Sequence, residues 1–181
     1  YNINLGIDLS LFNRINLTAE WYQRKTKDLL IDKPLTLTSG FSTILTNEGQ
    51  MLNRGIEVDI KTTNIQQKDF NWTTFINISH NKNEILRLDG VQQQIPSGSQ
   101  IRKVGSPYYT LYLREFAGIN PSNGMPQFYT NTLDENGKLV KDITENPKEA
   151  QSILIGSADP DLTGGLVNNV SYKWFDLGFT F

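Results

Sequence analysis

The sequence predicts an all-β protein of the antiparallel, up-and-down transmembrane β-barrel type, with about six wall strands and long loops on one side. Three observations predict it. Apolar and polar residues alternate with period two through much of the chain. The strands this implies outrun the roughly 5 to 6 residues common in globular sheets. Short and long connections take turns, as in outer-membrane barrels with tight periplasmic turns and long extracellular loops.

Each element follows from this pattern. Ile3, Leu5, Ile7, Leu9 and Leu11 alternate with polar residues such as Asn2, Asn4, Asp8 and Ser10, so the first strand has one apolar face. Phe12-Asn13-Arg14 is a short break. Ile15, Leu17, Ala19 and Trp21 then take one face, and Asn16, Thr18, Glu20 and Tyr22 the other, with polar alternation continuing to about Asp28. A long connection is expected over about 34–46. A third strand near Met51 to Thr63 sets Ile56, Val58 and Ile60 against Glu57, Asp59 and Lys61. Asn64 to Asp69 is a polar turn. The fourth strand sets Phe70, Trp72, Ile76 and Ile78 against Asn71, Thr73, Asn77 and Ser79, and runs on past His80. Leu162, Leu166 and Val170 alternate next. After a turn at Tyr172 to Trp174 come Phe175, Leu177, Phe179 and Phe181.

These strands are long enough to cross lipid, which takes about 9 to 11 tilted residues, and to project beyond it. Phe12, Phe70, Trp72, Tyr172, Trp174 and Phe175 lie at or beside the short turns, where they would form one interfacial girdle. The segment 89–159 is rich in Gly, Pro, Asn and Gln and is read as a long extracellular loop region. A structureless loop of that length is uncommon, so it should carry hairpins of its own. Gly118 to Gly124 is turn chemistry, and Asp134-Glu135-Asn136-Gly137-Lys138 reads as a hairpin tip. Strand parity allows zero or two wall crossings within it; zero is expected.

Composition excludes several classes. With 38% hydrophobic and 20% charged residues and a net charge of -2, the chain is neither a polybasic nucleic-acid binder nor a highly charged disordered tail. The absence of cysteine removes disulfide scaffolds, zinc ribbons and thiol nucleophiles. No fully aliphatic run exceeds three residues, as in Leu29-Leu30-Ile31, far too short for a membrane helix, which does not bear on a barrel. The chain starts at Tyr1 with no leader features, as expected of either a mature start or an internal piece. About six strands with open edges would leave backbone groups unpaired in lipid, at several kcal/mol each.

Several stretches carry a resemblance. They are Asn53-Arg54-Gly55-Ile56-Glu57-Val58, then Trp72 with Asn77 through Ile85, then Gly105. Ala117-Gly118-Ile119-Asn120-Pro121-Ser122-Asn123-Gly124 follows, and last Pro160 through Asn169, closing in Phe175-Asp176-Leu177. In order and spacing, over about 48–181, the chain resembles the C-terminal barrel of SusC/RagA-type TonB-linked outer-membrane proteins of Bacteroidetes. Residues 1–47 fit as preceding strands with weaker motifs. The resemblance implies a barrel of about 22 strands closed by a plug, with a TonB box upstream and a SusD-like lipoprotein over the mouth. It implies import of oligosaccharides or oligopeptides across the outer membrane of a Gram-negative cell. The whole of 1–181 would be part of one barrel domain, with plug, TonB box and remaining strands outside it.

No catalytic, cofactor or metal residues are expected. A Ser-His-Asp triad would have to use His80, the single histidine, which reads better as a strand-end residue. Asp159 with Asp161 and Asp134 with Glu135 read as solvated loop acids rather than a glycosidase pair. Asp134, Asn136 and Gly137 lack the closing Glu of a calcium loop. Gly164-Gly165 lacks the Lys-Ser/Thr of a phosphate loop and fits a bulge or a crowded spot in a barrel wall. Glu57, Asp59 and Asn77 should face lumen or plug. In the tyrosine-rich loop, Arg102, Tyr108 and Arg114 are the candidate contacts to sugar or peptide. A passive porin or autotransporter barrel and a soluble glycan-binding β-sandwich are the rival readings.

Overall fold

The computed structural model describes residues 1–88 and 93–181; the first four residues of the 89–159 segment lie outside the described residues. Six strands form one antiparallel sheet: β1 (Asn2–Leu11), β2 (Ile15–Pro34), β3 (Thr43–Gln66), β4 (Phe70–Arg87), β14 (Thr163–Tyr172) and β15 (Phe175–Thr180), in the order β1-β2-β3-β4-β14-β15. β4 pairs directly with β14, from Ser79 opposite Thr163 to Phe70 opposite Tyr172. The sheet is open, and β1 and β15 each pair on one side only.

The alternation sorts the two faces. Opposite residues share a face, so the register aligns apolar rows: Leu5–Trp21–Ile56–His80, then Ile7–Ala19–Val58–Ile78, then Leu9–Leu17–Ile60–Ile76–Leu166. Leu5, Ile7, Ile56 and Leu177 are all more than half exposed, so the sheet presents a continuous apolar surface. The other face carries Asn4, Tyr22 and Asn81 around Gly55, and Asp8, Thr18, Asp59 and Asn77.

Short turns close one end. Leu11 to Arg14 is a tight turn with Phe12 and Asn13 both at positive φ (54° and 52°) and Arg14 N donating to Leu11 O at 3.0 Å, the twist two-residue hairpins favour. The two-residue turn between Tyr172 and Phe175 differs, with Lys173 at φ 55° and Trp174 not at positive φ. The aromatic residues gather at this end, with Phe70 on Tyr172 (6.4 Å between centroids) and Trp174 on Phe175 (4.7 Å).

One polar cluster interrupts the apolar face. Thr62 donates to Asn64 Oδ1 (2.8 Å) and Asn64 Nδ2 to Thr74 Oγ1 (2.6 Å). Thr74 Oγ1 and Trp72 Nε1 donate to Asn168 Oδ1 (2.7 and 3.0 Å). Within lipid such groups are tolerated only when they satisfy one another, and Asn168 is buried beneath these partners.

The opposite end carries the excursion between β4 and β14. It forms a four-stranded sheet from β5 (Gln94–Ser97), β6 (Gln100–Lys103), β7 (Thr110–Arg114) and β13 (Ser152–Ser157). A three-stranded sheet joins β8 (Phe116–Ile119), β9 (Pro126–Tyr129) and β12 (Ile143–Thr144). β10 (Thr132–Leu133) and β11 (Leu139–Val140) pair as a hairpin. None of these strands joins the six-stranded sheet.

Side-chain hydrogen bonds set the excursion's turns. Asp134 Oδ1 accepts from the backbone N–H of Asn136 and Lys138 (2.9 and 2.8 Å), making the hairpin tip. Glu145 accepts from the side chains of both Asn120 and Asn123, which fixes the 118–124 turn. Lys141 pairs with Glu115 at 2.8 Å, and Asn131 Nδ2 donates to it. These donors hold the Glu115 and Glu145 carboxyls below their ordinary range.

Candidate functional site

β4 outruns its partner. β14 leaves it at Ser79, and the edge beyond is covered by the excursion. His80 Nδ1 meets Asp161 O at 2.5 Å, a structural contact at the strand end. Ile85 N donates to Ser106 O (2.9 Å), and Gly105 N to Ile85 O (2.8 Å). Gly105 sits at φ 82°, a backbone glycine adopts without strain. Ile31, Ile85, Leu88 and Ile95 form the buried core here, with Val104 and Tyr108 packed against it.

The upper strands lose strict alternation at this joint. Register shifts occur between Thr26 and Leu29 and between Leu29 and Ile31, near Asp28 at positive φ. The bulged chain carries Ile31 into the core. On the otherwise polar face, Met51 and Ile85 continue the rows of Asn53 and Asn83. An apolar patch thus appears at the top of a polar wall.

A chain of hydrogen bonds ties wall to excursion. Tyr22 Oη donates to Asn81 Oδ1 (3.0 Å), and Asn81 Nδ2 reaches Asn53 Oδ1 at 3.5 Å. Asn83 Nδ2 donates to Asn53 Oδ1 (2.8 Å), while Asn83 Oδ1 accepts from Tyr108 N (2.8 Å). Tyr22 reaches Asn81 by lying across Gly55, where a Cβ would collide with the Tyr22 ring and the His80 carbonyl. This explains why glycine stands within Asn53-Arg54-Gly55.

Two cavities adjoin along this wall. One, of about 460 Å³, is polar and lined by Asn2, Asn4, Tyr22, Arg24, Asn53, Glu57 and Asn81. The second, of about 490 Å³, shares Asn53 and Asn81 and adds Leu29, Met51, Ile85, Arg102, Tyr108 and Asp159. Arg102 lies over the Tyr108 ring at 4.5 Å, and Tyr109 meets that ring edge-on at 5.1 Å.

Of the three candidate contacts, the fold brings Arg102 and Tyr108 together in this second cavity. Arg114 stands apart at the end of β7, its Nε donating to Ala150 O at 3.1 Å. Asp159, read from sequence as a solvated acid, instead has Oδ2 buried and without a hydrogen-bond partner among the described residues. Asn53, Asn81, Asn83 and Met51 also line this cavity, placed there by their position on one face of the motif strands. Glu57, Asp59 and Asn77 share the polar face and line a further cavity with Gly164 and Gly165.

A long-stranded open sheet with one exposed apolar face, one polar face and a folded excursion at one end defines a wall section of a large outer-membrane-type β-barrel. Residues 1–174 match the family model described as TonB dependent receptor-like, beta-barrel. The chain belongs to that family, whose members are outer-membrane β-barrel proteins. It is 35% identical over 195 residues to TonB-dependent receptor P3 of Formosa agariphila, covering 99% of this chain and 19% of that protein. It is 29% identical over 188 residues to TonB-dependent receptor SusC of Bacteroides thetaiotaomicron, covering 98% of this chain and 18% of SusC. The chain therefore spans about a fifth of the length of the curated relatives it matches. Among solved structures, the RagAB peptide importer in its closed-closed state superposes with a TM-score of 0.82 at 29% identity, over 99% of this chain and 20% of that one. Its open-open state gives 0.81 at 28% identity, over 99% and 19%. These homologues are TonB-dependent receptors and transporters, which are not enzymes.

Proposed function

We propose that residues 1–181 form barrel wall and extracellular loop in a TonB-dependent importer of large nutrients, oligosaccharides or oligopeptides, across the outer membrane. The observation that carries this reading is the two-faced sheet. Its apolar rows suit lipid, and its polar face of Asn, Glu, Asp and Tyr suits a hydrated lumen or a plug. The open edges at β1 and β15 call for further wall strands of the same polypeptide. The plug and the TonB box belong to other parts of that polypeptide, and the 89–159 segment stands on the extracellular side. A SusD-like surface lipoprotein covers the mouth, and TonB supplies energy from the inner-membrane proton-motive force. This section does no bond chemistry.

The test is uptake by cells carrying the whole gene. Labelled oligopeptide or oligosaccharide should enter the periplasm only with an intact TonB box and an energised inner membrane. A lipoprotein should co-purify with the barrel. Uptake that persists after the TonB box is deleted would mark a passive porin and refute the importer reading.

A further inference from the structure

The outward, apolar face changes character at one row. From Phe70–Tyr172–Phe175 up to Leu5–Trp21–Ile56–His80, its rows hold no Lys, Arg, Asp or Glu among the described residues. The next row is Ile3–Gln23–Arg54–Lys82. Above it, Lys25 stands opposite Leu52, and Leu52 opposite Glu84. Arg54 and Lys82 come from the two motif stretches 53–58 and 77–85, and the register sets them directly opposite each other.

Like charges directly opposite each other on one face of a sheet destabilise it. Nothing beside this pair offsets it. Arg54 Nη2 lies 4.0 Å from Glu84 Oε2 with both side chains open to water, a contact worth little. Lys82 is exposed and has no side-chain partner among the described residues. With Lys25 a row higher and diagonal to Arg54, three cations face the single acid Glu84. An anion seated between Arg54 and Lys82 turns their repulsion into attraction. Phosphate suits both, since its oxygens match the guanidinium fork and accept from an ammonium.

Height selects the kind of phosphate. One row adds about 6.7 Å along a strand, or about 5 Å of height at the tilt of such barrels. Arg54 and Lys82 thus stand just beyond the last uncharged row, at the depth where acyl chains give way to headgroups. A lipid phosphate is already held at that depth, and its chains have Leu5, Ile7 and Ile56 below, all more than half exposed. The opposite boundary has the aromatic row Phe70–Tyr172–Phe175 instead of cations, so the two leaflets meet different surfaces.

We infer that Arg54 and Lys82, with Lys25 above them, hold the phosphate of a lipid in the outer leaflet, whose acyl chains lie along Leu5, Ile7 and Ile56. The site needs the outward face to lie in lipid and the excursion to stand outside the cell. It does not depend on what the barrel carries: a passive porin built on this wall would hold the same lipid.

The test uses the full-length barrel, purified in a non-ionic detergent with any lipoprotein that accompanies it and stripped of bound lipid. Lipid A carrying its phosphate, and the same lipid A after phosphatase treatment, are titrated separately at one ionic strength. Bound lipid is counted by native mass spectrometry. Wild type should prefer the phosphorylated form by about thirtyfold, roughly fivefold for each of two basic residues. The double variant Arg54→Gln with Lys82→Gln should lose that preference. Lys82→Arg should keep it, and so should Lys68→Gln, which removes a charge in the turn at the other end of the wall. Each variant is checked for an assembled barrel by heat-modifiable gel migration. Should the double variant fail to assemble, Lys82→Gln alone should lower the preference about fivefold. Equal binding of the two lipids by wild type, or a preference that these variants leave intact, overturns the site. An equal loss in Lys68→Gln overturns it too, as an effect of net charge. So does inorganic phosphate that displaces lipid A at matched ionic strength, which marks a site for free anions.

Discussion

Replacing Ile76 by arginine tests the outward face directly. Ile76 lies in the row Leu9–Leu17–Ile60–Ile76–Leu166. Two rows above it stands Leu5–Trp21–Ile56, and three rows below it Phe70–Tyr172–Phe175. Adjacent rows are two residues apart, about 6.7 Å along a strand, so the stack is roughly 33 Å long. At a tilt of about 40 to 45° it stands about 25 Å tall, the height of a barrel's apolar band. Ile76 then sits near the midplane, and Phe175 at the boundary. Arginine should cost roughly 2 to 4 kcal/mol at Ile76 and about 0 to 1 kcal/mol at Phe175. Asn77→Arg, on the polar face beside Ile76, should cost little. Urea midpoints of the full-length barrel in lipid vesicles, read by heat-modifiable migration, measure all three. Equal cost at Ile76 and Phe175, or a greater cost at Asn77, would refute both the facing and the depth.

Three further outcomes follow. Thr74→Val strips a partner from both Asn64 and Asn168 on the lipid side, and the same urea assay should show a loss of roughly 1 to 3 kcal/mol. Gly55→Ala meets the His80 carbonyl, which cannot step aside, so a loss of about 1 to 3 kcal/mol is expected, with Tyr22→Ser relieving only the side-chain part. Glu115 and Glu145 have folded-state carboxyls below the ordinary value, by hydrogen bonds from Lys141 and Asn120 first. Their stabilisation is full above the unfolded carboxylate range and disappears as pH falls through the lowered values. Amide protection of β8, β9 and β12, taken relative to the intrinsic exchange rate at each pH, should therefore hold from neutral pH into the ordinary carboxylate range and fall below it, and Glu115→Gln should remove part of that dependence.

Wherever one side of the sheet is apolar, period-two alternation made the fold legible. β1, the lower half of β2 and β4 from Phe70 follow it closely, because a one-residue slip would turn every side chain to the wrong environment. The Asp134 to Lys138 tip was legible because its turn is held by its own Asp side chain. The start of β3 was not. Thr43 to Gln50 lacks alternation, yet pairs with β2 across two register shifts, so the long connection spans 35–42 rather than 34–46. The excursion strands were illegible one by one, since strands of two to six residues carry too few alternations. Site residues fared likewise. Arg102 and Tyr108 stand out as candidates by residue type and line one cavity, whereas Leu29, Met51 and Ile85 meet there only because bulges and long-range pairing bring three strands together.

The clamp of Gly105 and Ser106 on Ile85 bears on how the chain reaches its final pairing. Thr163 must find Ser79 across 84 residues of sequence. Entropy alone penalises such a span only mildly, by about 0.6 kcal/mol for each doubling. Speed and accuracy of the search are a separate matter, because distant strand pairings form slowly and expose unpaired edges while they wait. The clamp divides one wide closure into smaller ones: the nearer end of the excursion docks on β4, local sheets draw in the remainder, and β14 arrives already close to its register. A variant that loosens the clamp, such as Gly105→Val, would then slow assembly of strands far from the mutation while leaving the finished wall's contacts intact.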